Sequence, residues 1–206
     1  MEEIIRAYAI LENVVDLNTG ALHGYRVLSR MRAKSGDEIG FLDIRDKQLR
    51  KEIEMAVLKV AVEKKGDVKL FINLPVSVPL ESLPLLSKNF VLCLPVDMKL
   101  QDMAVTVGFV KKAGLKVALD NFTTVGYETK EVRLGAFDYV FFKEDFYMNV
   151  KKSEIKKLIE NIKFFGSLVC FKNIDSYKKL EVAQELGADL GHGYFFSFEE
   201  IPVIVK

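Results

Sequence analysis

Cysteine and histidine are nearly missing from this sequence: two of each stand among 206 residues. Cys93 and Cys170 both lie inside strand-like apolar runs, so they read as small core residues in a reducing compartment, not as a disulfide framework. His23 and His192 cannot alone build a zinc site. No charge of one sign prevails either. Thirty basic against 29 acidic side chains give a formal net charge of +1, which argues against the strong field of a nucleic-acid binder. Every apolar run is broken by charge or proline short of the roughly 18 residues that a membrane-spanning helix needs. The opening MEEIIRAYAI carries two acids where a secretory leader has a basic segment. These features predict a chain that works in the cytoplasm, away from membranes. Glycine-rich phosphate loops of the P-loop or dinucleotide type are missing, and no repeat or low-complexity linker divides the chain.

What is present is an ordinary globular composition, half hydrophobic and 29% charged, at a length suited to one sizeable domain over residues 1–206. Two apolar runs, AYAILENVVD (7–16) and LHGYRVL (22–28), flank LNTG and predict an antiparallel hairpin. Helical and strand patterns then alternate. The stretch 43–66 has helical spacing and is stopped by Gly66. Further helices are predicted at 98–114, 126–135, 151–166 and 175–187, with Ser153 and Asp175 as candidate N-caps. Strands are predicted at 68–73, 89–95, 115–120, 137–142, 167–172 and 188–196. These six are continuous apolar stretches, the mark of a parallel sheet covered on both faces. With the hairpin they make eight strands. The fold class is therefore read as α/β, a TIM-like (β/α) barrel with an inverted first strand. An open doubly wound α/β sheet is the alternative, because the chain is short for a barrel.

In such barrels chemistry sits at the C-terminal ends of the strands. Those ends carry Asn73, Asp120, Phe141, Lys172 and His192, and Arg26 joins them from the hairpin. The plainer readings are that Asn73 satisfies backbone groups before Pro75, that Phe141 is core, and that His192 is a hydrogen-bonded mouth residue. Four stretches, in order, resemble the EAL domain family. DLNTGALHGYRVLSR is similar to its opening, LFINLP to its strand ending in asparagine, AGLKVALDNF to its Ala-Leu-Asp-Asp-Phe segment, and LGADLGHGYFFS to its closing motif. The resemblance implies the barrel above and, for the family, hydrolysis of cyclic di-guanylate with two divalent metals held by oxygen ligands.

Position by position, the resemblance also implies what has changed. The signature glutamate falls on Arg26, and a glutamate of a later strand on Cys93. Asn73 and Asp120 are kept, but the second of the paired aspartates is Asn121. The lysine of the Lys-Ile-Asp stretch falls on Phe141 and its aspartate on Lys143. The Ala-Glu-Gly-Val-Glu-Thr segment reads FKNIDS, which puts Lys172 and Asp175 at its two glutamates. The glutamine before the last Gly-Tyr is His192. Of the implied metal carboxylates only Asp120 clearly survives, so Arg26, Asn73, Cys93, Asp120, Asn121, Phe141, Lys172, Asp175 and His192 are vestigial, and no metal, cofactor or catalytic residue is expected.

Arg30 matches the family's phosphate-contacting arginine and is the candidate phosphate-binding residue. Glu12, in place of a Gln-Pro-Ile stretch, would repel a phosphate. The loop after Asp120 and the ending KLEVAQELGADLGHGYFF look most like the EAL-like half of proteins that pair it with a helical HDOD domain. Whether such a domain follows Lys206 is left open. The expected function is that of a catalytically inactive EAL-like module for protein interaction and regulation in bacterial signalling. Its partner would be another protein or a second copy of the chain, with cyclic di-GMP bound weakly or not at all. A non-hydrolysing cyclic di-GMP receptor is the alternative. An enzyme of residual or altered activity, built on His192 and Cys93, ranks last. A buried, unpaired Asp120 would be costly, so Arg26, Lys172 or both are expected within hydrogen-bond reach of it, with Asn73 nearby.

Overall fold

The computed structural model describes residues 6–123 and 134–204. Its first element is the hairpin that the turn signal predicts. β1 (Arg6–Asp16) and β2 (Leu22–Arg32) pair antiparallel. Asp16 Oδ1 accepts from the amides of Asn18 and Thr19, each at 2.9 Å, and closes the turn. The chain continues through β3 (Glu38–Ile39), α1 (Lys47–Lys65), β4 (Lys69–Asn73), α2 (Leu83–Leu86), β5 (Phe90–Pro95), α3 (Leu100–Lys112) and β6 (Lys116–Phe122). From residue 134 onward come β7 (Tyr139–Phe142), α4 (Glu144–Asn149), α5 (Lys152–Phe164), β8 (Leu168–Phe171), α6 (Tyr177–Leu186), β9 (Leu190–His192) and β10 (Phe198–Val203).

Strands β2, β4, β5, β6, β7, β8 and β9 are parallel neighbours in that order. β1 closes the ring, antiparallel to β2 on one side and to β9 on the other. The result is a closed eight-stranded barrel with one inverted strand. It is the TIM-like barrel read from the sequence, and closure through β1 rules out the open sheet. Gly24 is needed on β2 because a Cβ there would strike the carbonyl of Lys69 on β4.

Some elements differ from expectation. β10 was not predicted; it pairs antiparallel with the first half of β1, Ala7–Glu12 against Val203–Phe198. The strand expected at 188–196 contracts to Leu190–His192, because Gly193 turns the chain at a φ of 149° against the backbone of Ile174. Ser153 is not an N-cap: α5 starts at Lys152 after Lys151, so Ser153 already lies in the first turn. Asp175 is not one either, since Ser176 caps α6 and its hydroxyl accepts from the Lys179 amide at 3.4 Å. The helix expected at 126–135 lies outside the described residues except for 134 and 135, which open the 3-10 turn Leu134–Ala136. Among the described residues no helix is long and apolar enough to cross a membrane.

Strand alternation sorts the core into two layers. Leu70, Ile72, Leu92, Val117, Val140 and Phe171 face outward and are covered by helix residues such as Ile53, Val57, Met103 and Ile159. Val14, Phe71, Val91, Cys93, Ala118, Tyr139, Phe141, Cys170 and Leu190 fill the barrel. Phe71 meets Tyr139 and Phe141 edge to face, with centroids 4.9 and 5.4 Å apart. This inner layer is a solid plug, so a site built on the inward face of the barrel must lie above it at the mouth.

Candidate functional site

Above the plug, whose upper edge is Cys93, the inward positions turn polar. Arg26 on β2, Asn73 on β4, Cys93 on β5, Asp120 on β6 and Lys172 just past β8 line one open cavity of about 440 Å³, together with Asn121. Along the ladder Asn73 stands opposite Cys93, and Asp120, two residues further up β6, stands opposite Pro95.

Asp120 is the centre of the cluster. Arg26 Nη2 donates to Asp120 Oδ2 at 2.6 Å, and Lys172 Nζ donates to Oδ1 at 2.8 Å. Arg26 Nη2 also donates to Asn73 Oδ1. Lys172 Nζ reaches Asn121 Oδ1 at 2.7 Å, and the Asn121 amide donates to Asp120 Oδ1 at 2.8 Å. Arg26 and Asp120 are only 4% and 5% exposed. Both cations expected near Asp120 are therefore there, with Asn73 in the same network.

The backbone at two strand ends serves this arrangement. The β6–β7 register shifts between Leu119 and Phe122, and Asn121 within that irregularity has a φ of 56°. Lys172 is followed by Asn173 at a φ of 58°. Asparagine tolerates this left-handed geometry better than most residues. The bulge turns Asp120 into the mouth, as bulges beside functional sites do.

Charge states follow from the surroundings. Burial alone would raise the Asp120 pKa, but the charges of Arg26 and Lys172 overcome it and hold the carboxyl down at about 2. Burial pushes the Cys93 thiol up to about 12 and raises Cys170 well above its ordinary value. Neither is a thiolate at neutral pH, so Cys93 lacks the charge state that a nucleophilic couple with His192 would need. Burial likewise depresses the pKa of His192, so its ring is neutral. Its Nδ1–H is aimed at Glu12 Oε2, 3.3 Å away, and that bond holds Glu12 below the usual carboxylate range.

The remaining predicted positions separate. Phe141 belongs to the plug, with the Arg26 guanidinium 5.5 Å above its ring centroid and the His192 ring 5.8 Å away. Asp175 is exposed and outside the cluster, paired with Lys179 Nζ at 2.7 Å. Arg30 is outside the cavity too. Its Nη1 lies 2.9 Å from Glu200 Oε2, and its Nε lies 3.2 Å from Glu38 Oε1. Glu200, which the sequence reading did not single out, belongs to β10, and FEEIPV lacks the strict alternation that would have marked it as a strand. Another residue that the sequence did not single out is Glu54 on α1. Its carboxylate accepts from the amides of Val76, Ser77 and Val78 at 2.8, 2.8 and 2.7 Å and pins the loop that follows Asn73. No local pattern signals a contact between a helix side chain and a loop more than twenty residues on.

A two-metal centre needs several anionic oxygen donors around its ions. Here the one carboxylate of the cluster has both oxygens engaged by cations. Among the described residues no group of three or more His, Cys, Asp or Glu side chains gathers as a metal site would require. The residues present do not fit a divalent ion.

The family model of the EAL domain matches residues 10–198. No curated protein matches the chain. Among solved structures, the fold is similar to Klebsiella pneumoniae BlrP1 in a manganese and cyclic di-GMP complex. The TM-score is 0.75 at 16% identity, covering 95% of this chain and 56% of that one. The chain thus spans a little over half the length of that relative. It is also similar to an EAL domain protein from Listeria monocytogenes, with a TM-score of 0.71, 16% identity, and 95% and 89% of the two chains covered. A standalone versatile EAL protein from Vibrio cholerae, bound to cyclic di-GMP, gives 0.72, 16%, and 98% and 94%. At such identity the likeness carries the fold and not the chemistry.

Proposed function

The chain belongs to the EAL domain family, and from that premise we propose that it is a non-hydrolysing member, a protein-interaction and regulatory module in bacterial signalling. One observation carries the reading. The ion cluster Arg26–Asp120–Lys172 stands where the resemblance puts metal-holding carboxylates. Like unit charges 4 Å apart repel by roughly 4 kcal/mol at an effective dielectric of about 20, and a divalent ion would meet two such cations. Neither thiol nor His192 offers a substitute nucleophile, because both thiols are buried and protonated and His192 is buried against Glu12. What is left to act is the outer surface, read by another protein or by a second copy. The test is incubation with cyclic di-GMP and magnesium or manganese. No linear product above a no-protein control is expected, and product formation that depends on Asp120 would overturn the reading.

A second reading, a receptor that binds cyclic di-GMP without cutting it, has one observation in its favour. The mouth cavity presents two cations, Arg26 and Lys172. Arg30, the candidate phosphate contact, speaks against it, being committed to Glu200 and Glu38. So does ionised Glu12 beside the mouth. Calorimetric titration separates the two: a sub-micromolar dissociation constant that is lost on Lys172→Ala supports the receptor.

A further inference from the structure

Away from the mouth cluster, a second set of cations gathers where α1 begins. Lys47, Arg50 and Lys51 stand at i, i+3 and i+4 and share one face of its first turns. With Gln48, Val76 and Ser77 they line an open cavity of about 550 Å³, which shares no lining residue with the cavity at Asp120.

Three observations set this face apart from ordinary solvated lysines. The first is its place. The positive end of a helix dipole disfavours cations and favours acids, yet the first turn of α1 holds no acid beyond its N-cap Asp46. Lys47 and Lys51 also repel each other across one turn. The second is pairing. Among the described residues none of the three, although they crowd one helix face and one cavity, has an ion-pair partner. The third is Arg50 Nε, which is buried and has no hydrogen-bond partner, a donor that is costly to leave unmet. The nearby carboxylates are already engaged. Asp46 Oδ1 accepts from the amides of Gln48 and Leu49 at 2.8 and 3.1 Å. Glu54, one turn further on, is bound to the loop amides that fix the cavity's far wall.

We infer that this cavity binds the phosphoryl group of a small molecule. Three cations call for more than one negative charge, which a monocarboxylate does not bring. A phosphate offers several oxygens to a guanidinium fork and two ammonium groups, and the Ser77 hydroxyl can donate to another. The inference does not depend on whether the mouth hydrolyses anything.

The test is 15N NMR of the full chain, titrated with inorganic phosphate, with a nucleoside monophosphate, and with sodium chloride at matched ionic strength. Saturable shifts are expected at Ser77 and at the Arg50 Nε–H with both phosphates and not with chloride. Arg50→Gln removes a charge-assisted bond and should weaken binding roughly tenfold or more. Lys51→Ala alters an exposed side chain and should also weaken binding, which keeps the test decisive if Arg50→Gln does not fold. Lys112→Ala, an equal loss of charge on α3, should leave binding unchanged. Shifts matched by chloride overturn the inference, as does phosphate binding that survives both the Arg50 and Lys51 changes. A phosphoserine peptide that binds where the small phosphates do not would also overturn it.

Discussion

Arg26 and Asp120 lie 94 residues apart in sequence and meet through a 2.6 Å hydrogen bond, with side chains only 5% and 7% exposed. Lys172 completes the contact on the other carboxylate oxygen at 2.8 Å. A buried pair of this kind has small net value, because desolvation offsets attraction. Losing one member strands the others in low dielectric.

Asp120→Ala should therefore destabilise the fold by about 3–5 kcal/mol, because it leaves two cations without their anion. Urea unfolding measures this. In the unmodified protein, magnesium or manganese should leave the melting temperature where it was. A rise that depends on Asp120 would mean that the carboxylate prefers a metal to its present partners.

The same pair sets an acid limit. Asp120 titrates at about 2 when folded, against an ordinary value of 3.8. In that interval the unfolded chain binds more protons, so stability falls as pH falls. The contribution is complete above about pH 4 and is lost on acidification through pH 2. Its size is about 2 kcal/mol. Asp120→Asn should flatten the stability profile in that window, as urea midpoints at stepped pH would show.

Restoring the signature acid alone should not restore hydrolysis. Arg26→Glu would place a second carboxylate beside Asp120, but Cys93 stays a protonated thiol and Lys172 still donates to Asp120. We expect no linear product from this variant with either metal, and lower stability from the like-charge contact. Turnover by Arg26→Glu alone would show that far fewer ligands suffice than two-metal chemistry is argued to need.

The barrel was legible because buried parallel strands are apolar throughout, as in LFIN and FVLCL, and helical spacing separates them. The pairing of β1 with β2 was legible from the Asn-Thr-Gly turn, but its closure onto β9 was not, which left an open sheet as the alternative. Nor was β10 legible. It pairs with a strand almost the whole chain away, and Pro202 within it is tolerated only because it lies at an edge. That omission hid Glu200, and with it the fate of Arg30. The cap at Asp175 failed because the neighbouring Ser176 offers the same chemistry one residue later. The cluster at Asp120 was readable because three strand-end positions converge on one mouth, where charge must balance.

Cys93 and Cys170 should resist iodoacetamide in the folded protein at mildly alkaline pH and react fully once urea unfolds the chain. Both side chains are buried in the inner core, and burial keeps both thiols protonated. Mass spectrometry of the labelled protein reads the result. Modification of Cys93 without unfolding would show that the plug opens.

Glu200→Gln tests what Arg30 is for. Glu200 accepts from Arg30 at 2.9 Å and from Arg32 at 3.0 Å, in pairs that are partly exposed. Such pairs contribute little, so the loss of stability should stay under about 1 kcal/mol. The variant does free the Arg30 guanidinium from its closer partner. If the mouth were a nucleotide receptor held back by that pairing, a freed arginine would add a charge-assisted phosphate contact, and cyclic di-GMP affinity would rise roughly tenfold. We expect no rise, because Glu38 remains 3.2 Å from Arg30 Nε and Glu12 stays ionised beside the mouth. A tenfold gain by calorimetry, reversed by Arg30→Ala, would favour the receptor over the interaction module.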